Sequence, residues 1–109
     1  MQETLFLQKI QDSFTFIESI IDNWNVSHDL VIDINKESNV LEIEFENTKE
    51  IILNAQTPMR QLWMASELGA YHFKFSDESK KWIDTRGNGE FIELFLKHSR
   101  ELSKIDFII

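Results

Sequence analysis

The chain reads as an α+β fold in which two helices pack on one face of an antiparallel β-sheet. Three observations predict it. Apolar residues recur at helical spacing near both ends, at Phe6, Ile10, Phe14, Ile17, Ile21 and Trp24, then at Phe91, Leu94, Phe95, His98 and Leu102. Between these stripes the period falls to two, over short segments separated by polar turns. No helical pattern interrupts those segments, which argues against βαβ units and a parallel sheet. Residues 1–109 read as a single domain, because the length is ordinary for one core and three glycines and one proline leave little for a linker.

The first helix is expected over Glu3–Trp24. Leu5, Leu7, Phe16 and Ile20 widen its stripe, and Asn23, Asn25 and Ser27 supply the polar residues that end it. A strand follows from Leu30 to Asn35, with Leu30, Ile32 and Ile34 alternating against Val31, Asp33 and Asn35. Lys36–Asn39 is the expected turn. Val40–Glu46 is the clearest half-buried strand: Leu41, Ile43 and Phe45 face one side, Glu42, Glu44 and Glu46 the other. Asn47-Thr48 turns the chain into Glu50–Asn54. A turn at Gln56–Met59, around Pro58, leads to strands at Gln61–Ala65, Ala70–Ser76 and Lys81–Thr85. Gly87-Asn88-Gly89 then breaks the pattern, with Asn88 as the expected N-cap of the closing helix.

On the strand at Gln61, Leu62 points to the core while Gln61 and Trp63 share the opposite face. Two readings follow from the pattern alone. An open face makes Trp63 a contact residue, and a covering layer makes it core.

Nineteen acidic against eleven basic residues give a net charge of −8. That field repels nucleic acid and anionic membranes and favours a cation or a basic protein surface, although acidity also simply keeps a small domain soluble. The absence of cysteine excludes disulfides, thiolate metal sites and cysteine nucleophiles. No stretch approaches a membrane span and the Met1–Leu5 start lacks a basic signal-peptide region, so a cytoplasmic location is expected.

Catalytic material is scarce. His28, His72 and His98 lie in separate segments outside any HxxxH, HxH or HExxH pattern, and His98 on an apolar stripe reads as a hydrogen-bonded core histidine. Gly87-Asn88-Gly89 is too short for a phosphate loop, and no serine has a GxSxG context. The chain is therefore not expected to be an enzyme. Carboxylates offer more. Glu18 and Asp22 stand one turn apart, and Asp29 and Asp33 follow; with the first strand beside the first helix, all four would converge on one edge. Such hard oxygen ligands suit Ca²⁺, Mn²⁺ or iron, but without a closed loop they hold it weakly, and on charge alone a merely solvated face is the commoner meaning of such a run. The row Glu42, Glu44 and Glu46 repels itself unless a cation or basic surface is near, with Lys49 neutralising part, and reads as a contact surface.

Asn54, Gln61-Leu62-Trp63, Gly69-Ala70-Tyr71-His72-Phe73, Trp82-Ile83, Arg86 and Gly89 occur in an order and spacing that resembles the frataxin family, its bacterial branch most closely. The likeness runs from about Ile17 to Phe107. It implies two helices on one sheet face, with Trp63 exposed on the other. It further implies an accessory protein of iron–sulfur cluster assembly, monomeric without iron, that docks on the cysteine desulfurase and its scaffold and modulates cluster formation. By the same resemblance Glu18, Asp22, Asp29 and Asp33 bind Fe²⁺ or Fe³⁺ weakly, and Asn54, Gln61, Trp63, Glu18 and Asp22 meet the partner, joined by Glu44 from the acidic strand row. An iron carrier or store using those carboxylates is the alternative. An iron-oxidising enzyme ranks last, since no Glu-x-x-His motif is present. The chain departs from the family where acids usually crowd the helix end: Asn23, Asn25, Val26, Ser27 and His28 thin that ridge, which weakens the case for tight iron binding.

Overall fold

A computed structural model describing residues 1–109 contains two helices on one face of a six-stranded antiparallel sheet. The order is α1 (Glu3–His28), β1 (Asp33–Glu37), β2 (Val40–Glu44), β3 (Glu50–Gln56), β4 (Gln61–Ser66), β5 (Gly69–Ser76), β6 (Lys81–Asp84) and α2 (Phe91–Ser103), with a 3₁₀ turn at Thr57–Met59. Each strand pairs with its sequence neighbour, so the sheet is an uninterrupted meander.

Alternation along the strands sorts the residues. Leu41, Ile43, Ile51, Leu53, Leu62, Met64 and Phe73 are buried beneath the helices, while their neighbours Glu42, Glu44, Asn54 and Trp63 remain partly accessible. The 26 residues of α1 span roughly 39 Å at ~1.5 Å per residue, the full 40 Å length of the molecule. Two tryptophans pin α1 in place. Trp82 of β6 meets Phe6 edge-on at 6.0 Å and donates its Nε1–H to Ser13 Oγ at 3.0 Å. Near the other end, Trp24 stacks on Phe107 at 4.0 Å and donates to the carbonyl of Ile108 at 2.9 Å, tying down the chain after α2.

Several boundaries differ from expectation, and at the end of α1, the start of β1 and the cap of α2 a polar side chain bonds to a group other than the one expected. α1 continues through Asn23, Asn25 and Ser27 to His28, and Asp29 closes it in the left-handed conformation at φ 53°. The Asn25 amide is not a local turn former: it accepts from Ile32 N–H at 2.8 Å and donates to the Ile32 carbonyl at 3.1 Å. Leu30–Ile32 is held by this clasp, and by Val31 N–H donating to Glu46, so β1 starts only at Asp33. β1 then includes Lys36 and Glu37, and the turn is confined to Ser38-Asn39, with Ser38 at φ 53°. Finally, Asn88 is not the cap of α2. Its amide donates to buried Asp84 at 2.8 Å, and Glu90 caps the helix by accepting from Ile92 N–H at 2.7 Å.

His98 is a core histidine of α2, as its place on the stripe predicts. Ser66 Oγ lies 2.7 Å from Nδ1 and also accepts from Leu68 N–H. The Tyr71 hydroxyl lies 3.2 Å from Nε2, so both ring nitrogens have a partner in either neutral tautomer. Burial pushes the imidazole below its ordinary value of 6.5; Glu101 pulls it back up and Lys97 adds to the lowering. The unfolded chain therefore binds this proton more readily than the folded one. Stability present above pH 6.5 should be lost as pH falls from there through the folded-state value. Denaturant titrations between pH 7.5 and 5.5, on the wild type and His98→Gln, check this: the slope should be shallower in the variant.

Ser99 Oγ is buried beside this residue without any hydrogen-bond partner. Removing an unsatisfied hydroxyl while keeping the volume should stabilise the fold, so Ser99→Ala is expected to raise unfolding free energy by about 1 kcal/mol with an unchanged m-value.

Candidate functional site

The uncovered sheet face carries the exposed chemistry. Its centre is set by hairpin geometry: the two-residue turn Glu67-Leu68 closes Ser66 against Gly69, and this register brings Trp63 opposite His72. On the other side Trp63 lies opposite Asn54, which lies opposite Val40. Asn54, Trp63 and His72 thus form one row across three strands. The Trp63 and His72 rings stack at 3.9 Å with planes 7° apart, and Trp63 Nε1–H donates to Gln61 Oε1 at 2.9 Å. Gln61 in turn stands across from Gln56 and Lys74. Stacking and hydrogen bonding hold Trp63 in one orientation with its ring partly exposed. His72 is the member whose place in this row sequence patterning did not reveal; the turn at Glu67-Leu68 is the signal that would have paired it with Trp63.

Charge grades across this face. At the β1 side, Asp33, Glu44 and Glu50 stand directly across from one another on three adjacent strands, with Glu42 in the neighbouring row. On β5, beyond the Trp63 row, Lys74 faces Ile83. Glu46 does not extend the acidic row; it lies past the end of β2 and accepts from Val31 N–H. Nor does Lys49 neutralise it, because its ammonium pairs with Glu67 at 3.4 Å.

The four carboxylates expected to converge are separated. Glu18 faces the helix side of β1, where it pairs with Lys36 at 3.6 Å. Asp33 is three positions from Lys36, an odd step along the strand, so it points to the uncovered face and meets Glu44 instead. Asp22 and Asp29 are exposed on α1 and at its C-cap. No three His, Cys, Asp or Glu side chains stand close enough to hold a metal ion. What the face offers chemically is hydrogen-bonding amides, a stacked aromatic pair and a graded charge, the components of a binding surface.

Comparison with known proteins agrees with this architecture. A family model described as a Frataxin-like domain matches residues 1–105. The iron-sulfur cluster assembly protein CyaY of Bordetella avium is 36% identical over 93 residues, covering 85% of this chain and 84% of that protein. The protein of the same name from Shewanella sp. strain ANA-3 is 40% identical over 92 residues, covering 84% and 83%. A solved frataxin from Psychromonas ingrahamii superposes with a TM-score of 0.76 at 27% identity, over 100% of both chains.

The row Asp33, Glu44 and Glu50 places like charges directly opposite one another, which opposes folding. Glu44→Gln should therefore stabilise the protein by about 0.5 kcal/mol at low salt. The gain should fade toward zero in molar salt, where screening acts within about 3 Å, as thermal melts at two ionic strengths would record.

Proposed function

The chain belongs to the frataxin family, and on that premise we propose that it is an accessory protein of iron–sulfur cluster assembly that docks on the cysteine desulfurase and its scaffold and modulates cluster formation. The observation that carries this reading is the uncovered face, where Asn54, Gln61, Trp63 and His72 are held together at the centre of a charge gradient. Glu44 and the carboxylates around it steer a basic partner surface into place, and the stacked Trp63 ring supplies the short-range anchor. Glu18 and Asp22 extend the acidic field along α1. The role is one of recognition rather than catalysis, exercised by a monomer in the cytoplasm.

Iron enters this reading as cargo. Glu18, Asp22, Asp29 and Asp33 are hard oxygen donors dispersed over α1 and β1, a set suited to weak, exchangeable binding of Fe²⁺ or Fe³⁺. A carrier or store would need a saturable, stoichiometric site, and the separation of these side chains favours the docking role over it.

Trp63→Ala separates anchor from fold. In a titration with the desulfurase it should weaken affinity by on the order of 30-fold, the loss typical of a central aromatic anchor. Its circular dichroism and melting cooperativity should stay those of the wild type. Undiminished affinity would sink the proposed face. Raising salt should weaken binding of both proteins in parallel, because the steering charges remain in the variant.

A further inference from the structure

The sheet has two edges, and the chain closes only one of them. At β6, Asp84 N–H donates to the Gly89 carbonyl at 2.9 Å and Glu90 bridges to Ile83, so the segment before α2 lies along that edge. β1 pairs on one side alone, with β2. The two-residue turn Ser38-Asn39 makes Glu37 and Val40 a hydrogen-bonded pair, and alternation then directs the backbones of Asp33, Asn35 and Glu37 toward β2. The far side of β2 keeps the same phase, since the Asn39 carbonyl accepts from Ala55 N–H and Phe45 N–H donates to the Lys49 carbonyl. Ile34 and Lys36 therefore turn their N–H and C=O groups away from the sheet, where no group of the protein bonds to them. Four of the five residues of β1 are exposed, so this edge is open to solvent.

Charge decides what such an edge accepts. The outward positions of β1, β2 and β3 carry Asp33, Glu37, Glu42, Glu44 and Glu50, and no lysine or arginine. The one cation of β1, Lys36, lies on the helix side, where Glu18 pairs with it at 3.6 Å. Lys49, at the turn before β3, pairs with Glu67. A second copy of this chain is a poor occupant: joining two β1 edges antiparallel about Asn35 sets Asp33 against Glu37 twice. Short, charged edge strands resist self-pairing for this reason. A cationic strand meets the opposite condition.

We propose that β1 is an acceptor edge for an extended, basic segment of a partner protein, which adds to the sheet as a seventh strand. Its backbone bonds to the free N–H and C=O groups of Ile34 and Lys36, and its outward side chains are cations beside Asp33 and Glu37. The alternate side chains fall on the helix side next to Ile34, where an apolar residue fits. Backbone bonds supply affinity in such strand addition, and the side-chain pattern supplies selectivity. The edge is independent of the Trp63 row, which lies on β4 in the interior of the sheet.

The test is a two-dimensional NMR titration of the full chain with a capped hexapeptide alternating lysine and valine. Controls are the same peptide N-methylated at every residue and one alternating glutamate and valine. The basic peptide should give saturable shifts over Asp33–Glu37 and slow the hydrogen exchange of the Ile34 and Lys36 amides. Both controls should bind at least tenfold more weakly. Lys36→Pro removes an outward N–H without breaking a β1–β2 bond, and should weaken binding roughly fivefold. Lys36→Gln keeps the N–H and removes a like charge, so it should bind at least as tightly as the wild type. Trp63→Ala should bind the peptide as the wild type does, whatever its affinity for the desulfurase. Absence of binding, equal binding of the N-methylated peptide or exchange at Ile34 and Lys36 unslowed at saturation would each overturn the assignment. Equal binding of the glutamate peptide, or shifts centred on Trp63, would do so too.

Discussion

Everything in this molecule follows from covering one face of the sheet and leaving the other bare. Side chains alternate along each strand, so covering one face with α1 and α2 commits every second residue of β2 to β5 to the core. The intervening residues are released from packing and can carry charge, amides and an accessible tryptophan. Burial of the inner set provides the stability; the outer set is thereby free to serve recognition.

The helices themselves are fixed by a few large contacts. Trp82 and Trp24 each combine ring packing with a hydrogen bond from the indole N–H, so neither leaves a polar group stranded in the core. His98 applies the same rule to a titratable residue, using Ser66 and Tyr71 to satisfy both ring nitrogens across α2, β4 and β5. What is left to solvent on the sheet is the graded face around Trp63.

Most of the architecture was legible in the sequence because hydrophobic periodicity is a local signal that tertiary structure reuses directly. The stripes of both helices, the inward and outward sets of the strands and the direction of Trp63 all follow from it. What periodicity cannot convey is which group a polar side chain will meet. Asn25 reads locally as a helix terminator, yet it clasps Ile32 from within α1. Asn88 reads as a cap, but buried Asp84 takes its amide and leaves the cap to Glu90. The acidic ridge failed to assemble for a related reason. Proximity of β1 to α1 was foreseeable, but the face on which Asp33 emerges places it with Glu44, beyond reach of Glu18. His72 became meaningful only once the Glu67-Leu68 turn set its register against Trp63.

The meander also dictates an order of assembly. Every strand pairs with the one just before it, so the sheet can zip together through short loops with little entropy lost at each closure. The helix layer is different. Trp24 and Ile108 are 84 positions apart, and their contact unites segments from the two ends of the fold. A half-built molecule would thus present an apolar sheet face that α1 alone covers, until the last helix and the segment after it arrive. Protection from aggregation in that interval rests on the outer face, where the same carboxylates that oppose folding keep nascent sheets from stacking on one another.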